Sequence, residues 1–160
     1  MLRRHLRAQV VSRVLCLCLA FPPLAAIAAD ALLTEAERLL AAKDPRAAYA
    51  LLLPLEPQRA GEVEYDYLLG IAALDAGDPQ RAVFALERVL AMNPQYLQAR
   101  AEIARAYFVL GEKQNAQREF RTVREQGDIP ASAAAAIDKY LSALEPVRAR
   151  FSGFLEGSYG

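Results

Sequence analysis

Between Val63 and Pro130 the apolar and small positions of the chain repeat themselves at a spacing of 34 residues. Leu69, Ala73, Leu86 and Val89 in the first copy fall on Ile103, Tyr107, Phe120 and Val123 in the second. Within each copy these residues recur at helical spacing, so each copy predicts a pair of amphipathic helices. Gly70 and Ala104 are small where two such helices cross, and Ala82 and Ala116 are the small residues facing them. Gly77 and Gly111 end the first helix of each pair, where a left-handed residue is needed. Asp78-Pro79 opens the second helix, with an acid at the cap and proline in the first turn. Asn93-Pro94 repeats that start signal at the boundary to the next copy.

Counting back 34 residues finds a worn copy over 29–62. Ala36 and Ala48 take the small positions, Asp44-Pro45 the turn, and Leu52 and Leu55 the core positions. That turn lacks glycine, and Pro54 is expected to kink or end the second helix. Glu56 to Gly61 then reads as a loose connection. Terminal repeats are often atypical because they close the stack. After the copies at 63–96 and 97–130, residues 131–145 predict one more helix, with Ala134, Ile137, Leu141 and Leu144 as its stripe and Pro146 as its stop. Residues 146–160 change period: Phe151, Leu155 and Tyr159 alternate with Ser152, Glu156 and Ser158 among glycines. A lone strand cannot satisfy its own edges. This tail is therefore either disordered or the first piece of something longer, such as a membrane-barrel strand.

Charge changes the picture at the other end. The chain is formally neutral, with 19 basic and 19 acidic residues. Arg3, Arg4, Arg7 and Arg13 all precede the first acid, and an apolar run from Val14 to Leu24 follows them. With the small residues Ala26 to Ala29, this reads as a secretory signal over 1–28, cleaved near Ala28/Ala29. The run is too short to span a membrane core. Removing four arginines leaves 15 basic residues against 19 acidic ones, or −4. A nucleic-acid partner would want the opposite surplus.

Candidate chemistry is sparse. His5, Cys16 and Cys18 all lie in the signal, so the expected mature chain offers neither thiol nor imidazole. We therefore expect no enzyme, cofactor, metal site or small-molecule substrate. Asp75 and Asp78 flank Gly77 as helix-end acids, and Glu62, Glu64 and Asp66 read as a solvated helix start favoured by the helix dipole.

The 34-residue pattern resembles the tetratricopeptide repeat. That resemblance implies an all-α fold: a solenoid of antiparallel helical hairpins with a C-terminal capping helix, then the short extended tail. It also implies a concave protein-binding groove on the first helices, at Glu64, Tyr67, Ile71, Leu74, Asp75, Gln98, Ala101, Arg105, Phe108 and Val109. The mixture of apolar anchors and scattered charge suits a partially apolar segment of a partner. The order of signal, repeats, an alanine-rich helix ending Ile137-Asp138-Lys139-Tyr140-Leu141, and Phe151-Ser152-Gly153-Phe154-Leu155-Glu156 resembles the surface lipoprotein assembly modifier family. This second resemblance implies a periplasmic domain holding a client, a lipoprotein, for an outer-membrane β-barrel in cis or in trans. The barrel itself is missing from these residues. The rival expectation is a free-standing periplasmic adaptor that scaffolds an envelope secretion or export complex.

Overall fold

The computed structural model describes residues 24–126 and 129–145, with side chains from residue 31 onward. The chain divides into two compact units, Met1–Ala31 and Leu32–Gly160. Of the first, only 24–31 is described, as the opening of a helix. The arginine-rich start, the greasy run to Pro23 and the tail at 146–160 lie outside the described residues. The expected cleavage point falls within the first helix.

The elements are α1 (Leu24–Ala41), α2 (Pro45–Leu52), a 3-10 turn (Leu53–Leu55), α3 (Glu56–Arg59), α4 (Val63–Ala76), α5 (Pro79–Met92), α6 (Leu97–Val109), α7 (Lys113–Gln126) and α8 (Ala131–Leu144). No strand occurs among the described residues. The helices pair as α1/α2, α4/α5 and α6/α7, with α8 against the last pair.

The three hairpin turns are built alike, and 34 residues separate each from the next. Lys43, Gly77 and Gly111 all adopt positive φ, at 62°, 97° and 76°. The following residue returns a 6→1 bond to the helix: Asp44 N–H to the Leu39 carbonyl at 2.9 Å, Asp78 to Ala73 at 2.8 Å, and Glu112 to Tyr107 at 2.9 Å. Asp44 and Asp78 then cap the next helix, accepting from the N–H groups of Ala47 and Arg81, each at 3.1 Å. Lys43 occupies the left-handed position without glycine's freedom. Relief of about 1–2 kcal/mol of left-handed strain, less about 0.5–1 kcal/mol of added chain entropy, sets the sign of its replacement. Lys43→Gly should therefore raise the urea midpoint, by a fraction of a kcal/mol to about 1 kcal/mol in stability, whereas Gly77→Ala should lower it by a similar amount. A midpoint that falls on Lys43→Gly would refute this account of the turn.

The boundary between the second and third hairpins departs from the expected start signal. Asn93 accepts a hydrogen bond from the Gln95 N–H at 3.2 Å and so closes a turn of its own. The helix begins only at Leu97, with Tyr96 in the cap position. The proline is thus spent on the turn rather than on the first helical position.

Apolar burial is distributed along the stack in three clusters. Leu33, Leu52, Tyr65, Leu68 and Leu69 form the first; Leu74, Leu86, Val89 and Ile103 the second; Phe120, Val123 and Ile137 the third. The crossing of α4 and α5 is tight: a Cβ on Gly70 would stand 2.6 Å from Leu86 Cγ. Ala36, Ala48, Ala82, Ala104 and Ala116 are fully buried at the other small positions.

Two sequence expectations fail together at 53–66. The stretch after Pro54 is not a loose connection. Pro54 ends α2, but the backbone continues as a 3-10 turn and then α3. The Tyr65 hydroxyl donates to the Leu52 carbonyl at 2.9 Å, where the ladder changes type. Nor is Asp66 part of a solvated helix start. It is fully buried, accepting from Arg88 Nη2 at 2.6 Å and from the Gly61 N–H at 2.7 Å. Arg88 also reaches Glu56 at 3.0 Å, and Glu56 takes Arg81 at 2.8 Å. These ion pairs tie α3 to α5 and give the irregular segment a fixed place. One repeat later the polarity reverses. Arg100 stands at the Asp66 position and bonds Glu119 of α7 at 2.7 Å and the Pro94 carbonyl at 2.8 Å.

Helix α8 packs through Ile137 and Tyr140. The Tyr140 ring stacks on Phe120 at 4.8 Å and meets Phe108 edge-on at 5.1 Å. Asp138 occupies the crossing position held by Gly70 and Ala104, and pairs with Arg124 at 3.0 Å. A carboxylate there disfavours the close approach of another helix.

Candidate protein-binding cleft

The first helices of three successive hairpins meet on one face. Leu40 of α1, Lys43 of the first turn and Pro45 at the start of α2, Ile71 and Asp75 of α4, and Glu102 and Arg105 of α6 line a cleft of about 350 Å³. Arg105 joins the hairpins. One guanidinium nitrogen donates to Asp75 Oδ1 at 2.8 Å, and another donates to the Glu102 carboxylate one turn back. Burial lifts the Glu102 carboxyl above the usual carboxylate range, a shift that Arg105 partly offsets. Burial alone would weaken the Arg105 charge, but Glu102 and Asp75 together hold it more firmly protonated than usual.

Magnitudes separate this cluster from the buried one. Arg105 and Asp75 are more than a third exposed, and such a pair is worth roughly 0.2–1 kcal/mol. A ligand can rearrange it at small cost. The Asp66–Arg88 pair, with the Asp66 side chain 1% exposed, has no such freedom.

The remaining predicted residues disperse. Gln98 and Ala101 line a second cleft, of about 300 Å³, between α6 and α8. Glu64 is exposed, and Val109 is 62% exposed at the end of α6. Tyr67 is half-buried, its ring 4.9 Å from that of Tyr96. Phe108 is half-buried beneath Tyr140, so much of its surface serves α8. Leu74 does not face the groove: it is 6% exposed, packed with Leu86 and Val89 in the second cluster. Repeat position alone missed Leu40, Lys43 and Glu102. The i, i+3 spacing of Glu102 and Arg105 on one helix face was the available signal. Tyr96 comes from the irregular turn after Asn93, which carries no periodicity.

Buried phenols give this region an alkaline signature. Burial pushes Tyr65, Tyr67 and Tyr107 up to about 12, with carboxylates adding to the effect: Glu56 near Tyr65, Glu102 near Tyr67, and Glu87 bonded to Tyr107. The folded chain therefore binds more protons than the unfolded chain between pH 10 and about 12. Stability is fully present below pH 10 and is lost as pH rises through that window. Absorbance titration near 295 nm should show these three tyrosines ionising late, together with unfolding. Seven tyrosines titrating in a single step near 10 would contradict the burial assigned here.

Paired helices at a 34-residue period, left-handed turns and a cleft on the first helices define a solenoid of the tetratricopeptide type, a protein-interaction scaffold. The tetratricopeptide repeat family profile matches residues 73–139, from the end of α4 into α8. Solved structures that resemble the chain include two crystal structures of MamA. One superposes with a TM-score of 0.59 at 20% identity, over 72% of this chain and 75% of that one. The other gives 0.57 at 22% identity, over 72% and 70%. At such identity the likeness speaks for the fold. No curated protein sequence matches the chain.

Proposed function

We propose that this is a periplasmic client-binding domain whose cleft at Ile71, Asp75, Glu102 and Arg105 holds a partially apolar segment of a lipoprotein. The client is held for an outer-membrane β-barrel in cis or in trans. The observation that carries the binding reading is the cleft itself. It combines apolar walls with an ion cluster weak enough to open, and all three first helices contribute to it. The arginine-led apolar start supports export, and the order of repeats, capping helix and alternating aromatic segment supports the barrel. The Asp138 carboxylate at the crossing position of α8 equally suits a free-standing adaptor in an envelope export complex.

A photo-crosslinking amino acid at Ile71 in the full chain, expressed in a Gram-negative host with lipidated outer-membrane lipoproteins, tests this. Adducts should form in the periplasmic fraction and carry acyl lipid. The same group at Phe84, 60% exposed on α5, should give none. Unlipidated envelope partners would favour the adaptor, and a protein retained in the cytoplasm would sink both readings. Phe108→Ala is a poor probe, because it removes a wall of the α8 contact, whereas Tyr67→Ala leaves α8 seated.

A further inference from the structure

We propose that the cleft between α6 and α8 receives two uncharged side chains, two residues apart, from an extended stretch of the partner's backbone. The proposal rests on the client-binding reading above and adds to it the polarity and conformation of the bound segment.

The walls argue for polarity. Leu97 and Ala101 of α6, Ile129, and Ala133 and Ile137 of α8 face the space, and among the described residues no ionisable one lines it. A charged side chain placed there would lose water and find no counter-charge among these described lining residues. The neighbouring cleft is of a different kind, since beside Leu40, Pro45 and Ile71 it presents Lys43, Asp75, Glu102 and Arg105. The two adjoin along α6, where Ala101 and Arg105 are one turn apart. The apolar socket measures about 300 Å³. An engineered cavity of about 150 Å³ accommodates a benzene molecule, so there is room for two side chains rather than one.

The rim argues for conformation. Gln95 and Gln98 stand exposed at the mouth, and among the described residues neither carboxamide has a hydrogen-bond partner. Each offers donors and an acceptor without charge. An extended segment has backbone N–H and C=O groups left to match them, whereas a helix has already committed its own. In an extended segment residues i and i+2 point the same way, roughly 6.5–7 Å apart. Both can enter one socket while the backbone between them lies across the glutamines.

The probes are three capped, fluorescein-labelled peptides: Ser-Thr-Leu-Thr-Leu-Thr-Ser, its isomer Ser-Thr-Thr-Leu-Leu-Thr-Ser, and the first peptide N-methylated between its leucines. Binding to the full chain is read by anisotropy, and its place by the methyl signals of Ala101, Ala133 and Ile137. The first peptide should bind and shift those methyls, the isomer should bind at least tenfold more weakly, and the N-methylated form at least fivefold more weakly. Ala133→Lys, on an exposed helical position, should abolish binding without changing the circular dichroism. Gln98→Leu should weaken the first peptide and erase its advantage over the N-methylated one. Equal affinity for both leucine spacings, no binding by any peptide, or undiminished binding to a folded Ala133→Lys variant would overturn the proposal. So would a shift of the free Ala133 and Ile137 methyls on Phe151→Ser with Leu155→Ser in the full chain, which would assign the socket to the chain's own tail. Crosslinking at Ile71 to lipoproteins while the peptides fail would remove this inference alone. Peptide binding without lipoprotein adducts would leave the socket intact and remove the lipoprotein reading.

Discussion

Replacing Arg88 with methionine should cost about 3–5 kcal/mol of stability, the largest loss expected from any single change among the described residues. The reason is the partner left behind. The Asp66 carboxylate is fully buried at the foot of α4, and without Arg88 it would keep the single Gly61 N–H bond in place of a paired charge. Arg88 supplies three contacts to that carboxylate, at 2.6 to 3.0 Å, and also anchors Glu56 of α3. Against a total of about 5–15 kcal/mol, the loss brings the domain close to unfolding at room temperature. Urea unfolding followed by circular dichroism measures it. The double variant Arg88→Met, Asp66→Leu should recover most of the loss, because an apolar pair of similar volume no longer strands a charge. If the single variant costs under about 1 kcal/mol, water reaches Asp66 and the network has been misread. Arg105→Met makes the contrast, since its partners are partly solvated and its loss should stay near or below 1 kcal/mol.

Gly70→Val should cost about 3 kcal/mol, at the upper end for an overpacked site. The added Cβ would sit 2.6 Å from Leu86 Cγ and 2.9 Å from Cδ2, so the helices must part or Leu86 must leave its rotamer. Leu86 is itself fully buried, and Leu86→Ala alone should cost about 2–5 kcal/mol by opening a cavity. The pair is the informative measurement. If the two residues touch as described, the new methyls partly fill the space the leucine vacates. The double variant should then fall short of the summed losses by at least about 1 kcal/mol. Strict additivity would mean that α4 and α5 do not cross at Gly70. Gly77 and Gly111 are a different case: a Cβ there would meet nothing within 4 Å, and only their positive φ calls for glycine.

Most of the fold was legible because a repeat states each rule more than once. Gly70 and Ala104, Ala82 and Ala116, and Gly77 and Gly111 each name one constraint of the hairpin, and the structure meets those constraints where the pattern set them. The candidate cleft was less legible. Ile71, Asp75 and Arg105 line one cleft, but Leu74 turns inward. Position 74 lies on the border between the groove face and the face that packs on α5, and the packing against Leu86 and Val89 decides between them.

What the sequence determined by itself is the periodic part: the helix pairs, the small crossing positions, the capped left-handed turns and the apolar stripe of α8. These follow from interactions within one turn or one hairpin, which local residue types specify. What only the tertiary structure decided are the contacts between residues far apart in the chain. Asp66 reads as an exposed helix-start acid until Arg88, 22 residues on, is brought against it. The stretch after Pro54 reads as loose until Tyr65 and the Glu56–Arg88 pair hold it. Arg105 reads as a lone groove cation until stacking sets it beside Asp75 of the preceding hairpin, 30 residues earlier. The pairing partner of a charge depends on which surfaces are buried together, and that is a property of the assembled stack rather than of any window of sequence.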